Sequence, residues 1–315
     1  MKRVSKFAFL AALPLGIAAI AAPAHAVDWS SVQGKDVTLF YPGQASWEWV
    51  LTPADHSGAP KFREGKNCKQ CHAGEAKDMG ALIASGKKRE PTPVAGKRGS
   101  VVANVKMAHD GDKFYARFEW PDAGEPAQKM AADFAARVTM MFDDGKVKEA
   151  GRAGCWGVCH DDATDMESAG GKERKKYLSA SRVKITRQGG GDNMKGQGDL
   201  DQMKAGGVFL EYWQARLNPG AAAVAVDGHI LEKRTDHEKP IVTAEGKLDG
   251  GKWVVVLSRK MKAGDPSYKD IVPGGVYNVG FAIHDQYTWH RFHHVSFEHT
   301  FAVDQGEADF VAVKK

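Results

Sequence analysis

A mainly β architecture, a β-sandwich preceded by a small irregular segment, is what this 315-residue sequence predicts. Three observations predict it. Phe114, Ala116, Phe118 and Trp120 alternate with Tyr115, Arg117 and Glu119, the period-two pattern of a half-buried strand. Asp-Gly, Gly-Gly and Pro-Gly pairs punctuate the chain beyond residue 100, where a β protein turns. Helical periodicity is scarce, with Gln128–Ala136 the one helix of note.

Lys2, Arg3 and Lys6 open the chain ahead of an apolar run, Phe7–Ala22, that closes on Ala24-His25-Ala26. A basic start, an apolar stretch and a small-x-small end make residues 1–26 a secretory signal. The run is shorter than the roughly 20 residues that span a bilayer, and no later segment is both long and apolar. The mature chain is therefore expected to begin at Val27, to reside in the periplasm and to hold no stable membrane span. Loss of three bases and no acid lowers the net charge from +5 to +2. Lys and Arg are also dispersed, which argues against nucleic-acid binding, since that wants a basic stripe.

Residues 27–95 form an N-terminal segment with Trp29, Trp47, Trp49, several prolines and one cysteine pair. It looks like a wrapping for a cofactor rather than a domain with its own large core. The polar, proline-bearing stretch Lys87–Pro93 reads as a linker. Residues 96–315 then carry the sandwich. Its first strand, Ser100–Met107, turns at Asp110-Gly111 into the alternating strand 114–120. Further strands are expected at Arg137–Phe142, Val208–Leu217, Ile241–Leu248, Trp253–Leu257, Val276–His284 and Phe292–Phe297. A glycine-rich loop covers Gly189–Gly198.

The four cysteines come as two close pairs, each followed at once by histidine. In an exported chain the ordinary expectation is two disulfides. Cys68-Lys69-Gln70-Cys71-His72 instead spells the attachment motif of a c-type haem. Two thiols bond the vinyl groups at one porphyrin edge, and the adjacent imidazole ligates the iron. A structural zinc site would want a second ligand pair nearby. A redox dithiol would want a βαβ context that the pattern lacks. Cys155-Trp156-Gly157-Val158-Cys159-His160 has one more residue between its cysteines. His160 still follows the second thiol directly, so a second haem c is expected there, with a disulfide as the alternative.

A low-spin electron carrier needs a second axial ligand on each iron, usually His or Met. Five histidines crowd Gly280–His299, and by strand alternation His284 and His294 are the first candidates, with His293 close behind. His109, His229, His237 and the methionines Met79, Met107, Met130, Met140 and Met141 are alternatives, though most of those methionines would fill core space.

Four stretches carry a resemblance: residues 108–120, 137–142, 154–160 and 277–285. On them the region from about Ser100 onward resembles the haem-binding domain family typified by the gamma subunits of ethylbenzene dehydrogenase and dimethyl sulfide dehydrogenase, over about two-thirds of the chain. That resemblance implies a β-sandwich holding one haem and serving a molybdenum enzyme, or standing alone as a cytochrome. Those gamma subunits hold a non-covalent b-type haem between Met and Lys. The Cys155/Cys159 pair and the added motif at Cys68 depart from that pattern, so the Met/Lys ligands are not transferred, and a dihaem c-type branch is the nearer likeness.

The expected function is electron transfer on two covalent haems between a respiratory donor and a terminal oxidoreductase. A molybdenum oxidoreductase or a quinol-oxidising cytochrome would be the partner. The alternatives are an enzyme whose iron has an open distal site for peroxide, nitrite or a sulfur oxyanion, and a haem-bearing subunit that docks on a large catalytic partner. No catalytic nucleophile, phosphate loop or carboxylate pair stands out.

Overall fold

The computed structural model describes residues 27–45, 47–158, 178–184 and 194–315. The signal segment 1–26, Cys159, His160 and the first half of the Gly189–Gly198 loop, residues 189–193, lie outside the described residues.

In chain order the elements are β1 (Lys35–Phe40), α1 (Trp47–Val50), α2 (Ala59–Arg63), α3 (Cys68–His72), α4 (Ala76–Ala84), β2 (Ser100–His109), β3 (Lys113–Pro121) and β4 (Ala136–Asp143). Then follow α5 (Ala150–Val158), α6 (Gln197–Ala205), β5 (Leu210–Leu217), β6 (Val224–Ile230), β7 (Arg234–Asp236), β8 (Thr243–Asp249) and β9 (Lys252–Lys260). The chain ends with β10 (Val276–His284), β11 (His294–Val295), β12 (His299–Val303) and β13 (Phe310–Lys314). The molecule is mainly β, as expected. The main sheet path runs β7-β6-β5-β4-β10-β11-β1-β2-β3-β9-β8, and β12 and β13 bridge β10 to β2. The sheet curls so that β5 packs on β8 and β9 across the core.

Local chemistry explains the strands. Phe114, Ala116, Phe118 and Trp120 all face inward on β3 and are buried, as alternation requires. Asp110 closes the β2–β3 turn by accepting from the Asp112 and Lys113 amides at 2.8 and 2.7 Å. The β8–β9 hairpin turns on Gly250-Gly251, both at positive φ, the two-residue turn whose twist matches its strands. β4 lies between β5 and β10 with every residue buried.

Two expectations need correction. Gln128–Ala135 forms no helix, and Ala136 opens β4. The Ala131 amide bonds the Tyr287 carbonyl and the Ala135 amide bonds Asn218, so tertiary partners take the donors that a helix would use. The strand expected over Phe292–Phe297 shrinks to His294–Val295, because Phe292 still closes a turn on Trp289 and His290 sits at positive φ.

The wrapping segment is joined to the sheet. β1 inserts between β11 and β2, in register from Lys35 opposite Val105 to Phe40 opposite Ser100. Its Phe40, Trp47, Val50 and Phe62 belong to a second apolar cluster with Met141, Cys155 and Phe297. Cys68 packs against the same cluster, so the first cysteine of each motif meets there.

Candidate functional site

The first motif is one turn of helix, α3. Its N-cap, Asn67, accepts from the Gln70 amide at 2.8 Å while Gln70 Oε1 accepts from the Asn67 amide at 3.0 Å. This reciprocal capping box starts the helix at the cysteine itself. Helical spacing then puts Cys68, Cys71 and His72 on one face. All three line a cavity of about 580 Å³, within the ~300–1,000 Å³ range of cofactor clefts. Cys68 and Cys71 form no disulfide, and burial pushes the Cys68 thiol far up from its ordinary range.

The cavity walls are apolar: Phe40 from β1, Trp49 and Val50 from α1, Phe62 from α2, Met79 and Ile83 from α4, and Phe297. Lys61, Lys66, Lys88 and Arg89 also border it. Two thiols at one edge, an imidazole beside them, aromatic walls and cations suited to carboxylates together fit the needs of a covalently held haem, propionates included.

His72 is oriented from both sides. Its Nδ1 donates to Glu75 Oε2 at 2.8 Å, and its ring stacks with Phe297, centroids 6.2 Å apart at 21°. Opposite it stands His56, with ring centroids 6.0 Å apart and its own Nδ1 donating to the Val50 carbonyl at 3.0 Å. Burial lowers the His56 pKa, favouring the neutral imidazole.

Glu298 supports the motif by accepting from the Lys69 amide at 2.9 Å. Its other carboxyl oxygen is buried without a hydrogen-bond partner, and desolvation pushes its pKa up to about 7.

The second motif packs directly against the first. α5 breaks at Gly154, whose positive φ launches a new turn at Cys155. Cys155 is buried against Gly280 of β10, where an added Cβ would sit 2.3 Å from the Cys155 amide nitrogen. Gly154 approaches Phe297 and Glu298 just as closely, with an added Cβ 2.4 Å from the Phe297 carbonyl. Trp47 Nε1 donates to the Gly157 carbonyl at 2.6 Å. Arg152 donates to the Phe62 and Lys66 carbonyls and lies over the Phe62 ring at 3.8 Å. Phe297 thus touches His72 of the first motif and Gly154 at the head of the second. Cys159 and His160 fall outside the described residues, so of that motif's two cysteines and histidine only Cys155 is described.

None of His284, His293 and His294 borders the Cys68 cavity. They gather instead at the end of β10. His294 Nε2 donates to the Arg98 carbonyl at 2.8 Å, and its Nδ1 is 3.8 Å from Asp285. Asp285 in turn binds Lys97 at 2.6 Å and Arg98 at 2.7 Å. Burial drops the His294 pKa to about 3. His284 Nε2 and His293 Nδ1 both donate to the His290 carbonyl, at 3.0 and 2.7 Å. His109 pairs with Asp304 at 2.8 Å, and His229 reaches His237, which reaches Asp227, at 3.1 Å each. Met107, Met140 and Met141 fill the core. Met130 is exposed, and Met79 alone of the named methionines borders the cavity. His56 was missed by sequence reasoning, and the single sequence signal for it is a histidine in the same short segment as His72.

A family profile described as ethylbenzene dehydrogenase matches residues 26–245 and 234–296. A cytochrome c-552 from Stutzerimonas stutzeri is 39% identical over 300 residues, covering 94% of this chain and 92% of its own. A cytochrome c-551 from Rhodocyclus tenuis is 27% identical over 294 residues, covering 92% and 100%. A putative carbohydrate-binding protein of known structure from Bacteroides uniformis aligns at a TM-score of 0.33 with 9% identity, covering 68% of this chain and 78% of that one.

Proposed function

We propose that this chain, which belongs to the ethylbenzene dehydrogenase family, is a c-type cytochrome that carries electrons in the periplasm on two covalently attached haems. The observation that carries the reading is the aromatic-walled cavity onto which Cys68, Cys71 and His72 converge from one helical turn. Haem, when bound, supplies one-electron redox chemistry that no side chain here provides.

The chain's own residues set the conditions for that chemistry. Cys68 and Cys71 hold the group at one edge, and His72 presents Nε2 because Glu75 occupies Nδ1. A carboxylate on the far ring nitrogen raises the ligand's basicity and fixes its tautomer. Phe40, Phe62 and Phe297 keep water from the buried side, which raises the cost of charge change there and so tunes the potential. Lys61, Lys66 and Lys88 bring positive charge to the cavity, where they favour propionates or an acidic partner. Cys155, Cys159 and His160 would hold the second haem. The packing of Gly154 on Phe297 supports a short path between the two groups.

Donor and acceptor are proposed by class: a quinol-oxidising cytochrome on one side and a terminal reductase or oxidase on the other. Family membership supports a second reading, a haem-bearing subunit of a molybdenum oxidoreductase. Stable co-purification with a molybdopterin protein would favour it.

Potentiometric titration of the purified holoprotein, with carbon monoxide added to the reduced state, tests the carrier reading. Two one-electron steps from low-spin irons that ignore carbon monoxide are expected. Rapid carbon monoxide binding, with turnover of peroxide or nitrite, would overturn it in favour of an enzyme.

A further inference from the structure

We propose that His56 is the distal axial ligand opposing His72, so that the iron held at Cys68 and Cys71 is bis-histidine; this rests on haem attachment at those two cysteines. The first support is spacing. A metal–imidazole bond of about 2 Å added to roughly 1 Å from nitrogen to ring centre, on each side, spans about 6 Å. The two centroids are 6.0 Å apart. Both ring planes would contain the ligand–metal axis, about which each turns freely, so their 36° mutual tilt is compatible with the pairing.

The second support is the hydrogen-bond pattern. His56 Nδ1 donates to Val50 O and His72 Nδ1 to Glu75, which fixes each neutral ring in the tautomer with its lone pair on Nε2. A ligating histidine almost always has its other nitrogen tied to a carbonyl or carboxylate in this way. Both histidines border one cavity.

The third support is exclusion and rigidity. Among the described histidines, only His56 and His72 border this cavity. The His56 backbone closes a turn on Thr52 at 2.9 Å, and the Ala59 amide returns to the His56 carbonyl at 2.9 Å. Trp49 packs on the ring, centroids 5.4 Å apart, and Gly58 leaves room for it, since an added Cβ there would lie 2.9 Å from His56 Cε1. Met79 is the rival ligand in the same cavity.

The test uses the full chain, expressed with its signal and haem-attachment machinery. Intact mass first counts covalent haems in the wild type and in His56→Ala, His56→Met and Met79→Ala. Absence of haem from Cys68 and Cys71 in the wild type would sink the attachment reading itself. With attachment intact, His56→Ala should convert one iron per chain from low to high spin by electron paramagnetic resonance and add one carbon monoxide per chain in the reduced state. Added imidazole should restore the low-spin signal. His56→Met, which keeps a ligating side chain if the alanine variant folds poorly, should move one reduction potential upward, as Met ligation does. An unchanged spin state and potential in fully loaded His56 variants would overturn the assignment, as would a high-spin iron in Met79→Ala.

Discussion

Replacing Gly280 by alanine builds a methyl group into the backbone of the Cys155 turn. The new Cβ would lie 2.3 Å from the Cys155 nitrogen and 3.0 Å from its Cα and Cβ. Ordinary contact begins about 1 Å further out than the shortest of these, and the obstacle is main chain, not the flexible end of a side chain. α5 cannot simply slide away. On its other side Gly154 rests on Phe297 and Glu298, Trp47 holds the Gly157 carbonyl, and Arg152 holds the Phe62 and Lys66 carbonyls. Overpacking of this kind costs roughly 1–3 kcal/mol, and pinning on both sides puts Gly280→Ala toward the upper end. At ~2–4 °C per kcal/mol for a chain of this class, Tm should fall by on the order of 5–10 °C. Covalent haem at Cys155 should fall with it, while haem at Cys68 is retained. Intact mass and peptide mapping read the first effect, and thermal unfolding reads the second. Gly198→Ala is the control, since Gly198 lies in α6 with nothing near an added Cβ and alanine favours a helix. A Gly280→Ala protein with wild-type Tm and wild-type haem count would refute the claimed contact between α5 and β10.

Glu90 accepts from Arg291 with both carboxylate oxygens in a site where neither side chain is exposed by more than 2%. Glu90→Gln leaves a buried guanidinium without its counter-charge and should destabilise by about 3–5 kcal/mol, read as a lower urea midpoint; a midpoint within error of wild type would contradict this. His294 is held near pKa 3 against an ordinary 6.5, so the folded state binds fewer protons, and its contribution is present above pH ~6.5 and lost as pH falls toward 3. Between pH 6.5 and 4.5 the wild type should therefore lose stability more steeply than His294→Gln, and equal slopes would count against the assignment. Glu75→Gln removes the carboxylate from His72 Nδ1 and should raise one haem potential. Because Glu75 is exposed, the pair is worth under about 1 kcal/mol, and at 59 mV per tenfold for one electron the rise is on the order of 20 mV. A downward shift in the redox titration would be the wrong sign.

Strand alternation made the central sheet legible in the sequence. β3 lies one residue beyond each end of the expected span and β10 matches its expected bounds, because a half-buried strand writes its burial into every second residue. β1 was not legible. Lys35–Phe40 shows no clean alternation, and its place between β11 and β2 depends on residues 60 or more positions away. The helices around the first motif were also unread, since α1 to α4 are short and are set by caps and by packing rather than by periodicity. The same contrast holds for the site. Cys68, Cys71 and His72 are a contiguous motif, so covalent geometry alone made them visible. A distal ligand belongs to tertiary structure. The run of histidines at 284–299 drew attention by density, yet His284, His293 and His294 lie by the end of β10 and do not border the Cys68 cavity. His56 stands alone in sequence and meets His72 only because the turn between α1 and α2 folds over α3.

Intact mass of the mature protein, produced with its signal and with haem-attachment machinery, counts the covalent haems on the chain. The expected product is a chain beginning at Val27 that carries the mass of two haems, with peptide mapping placing one at Cys68/Cys71 and one at Cys155/Cys159. A chain carrying one haem, with Cys155 joined to Cys159 as a disulfide, would contradict it and reduce the protein to a monohaem cytochrome.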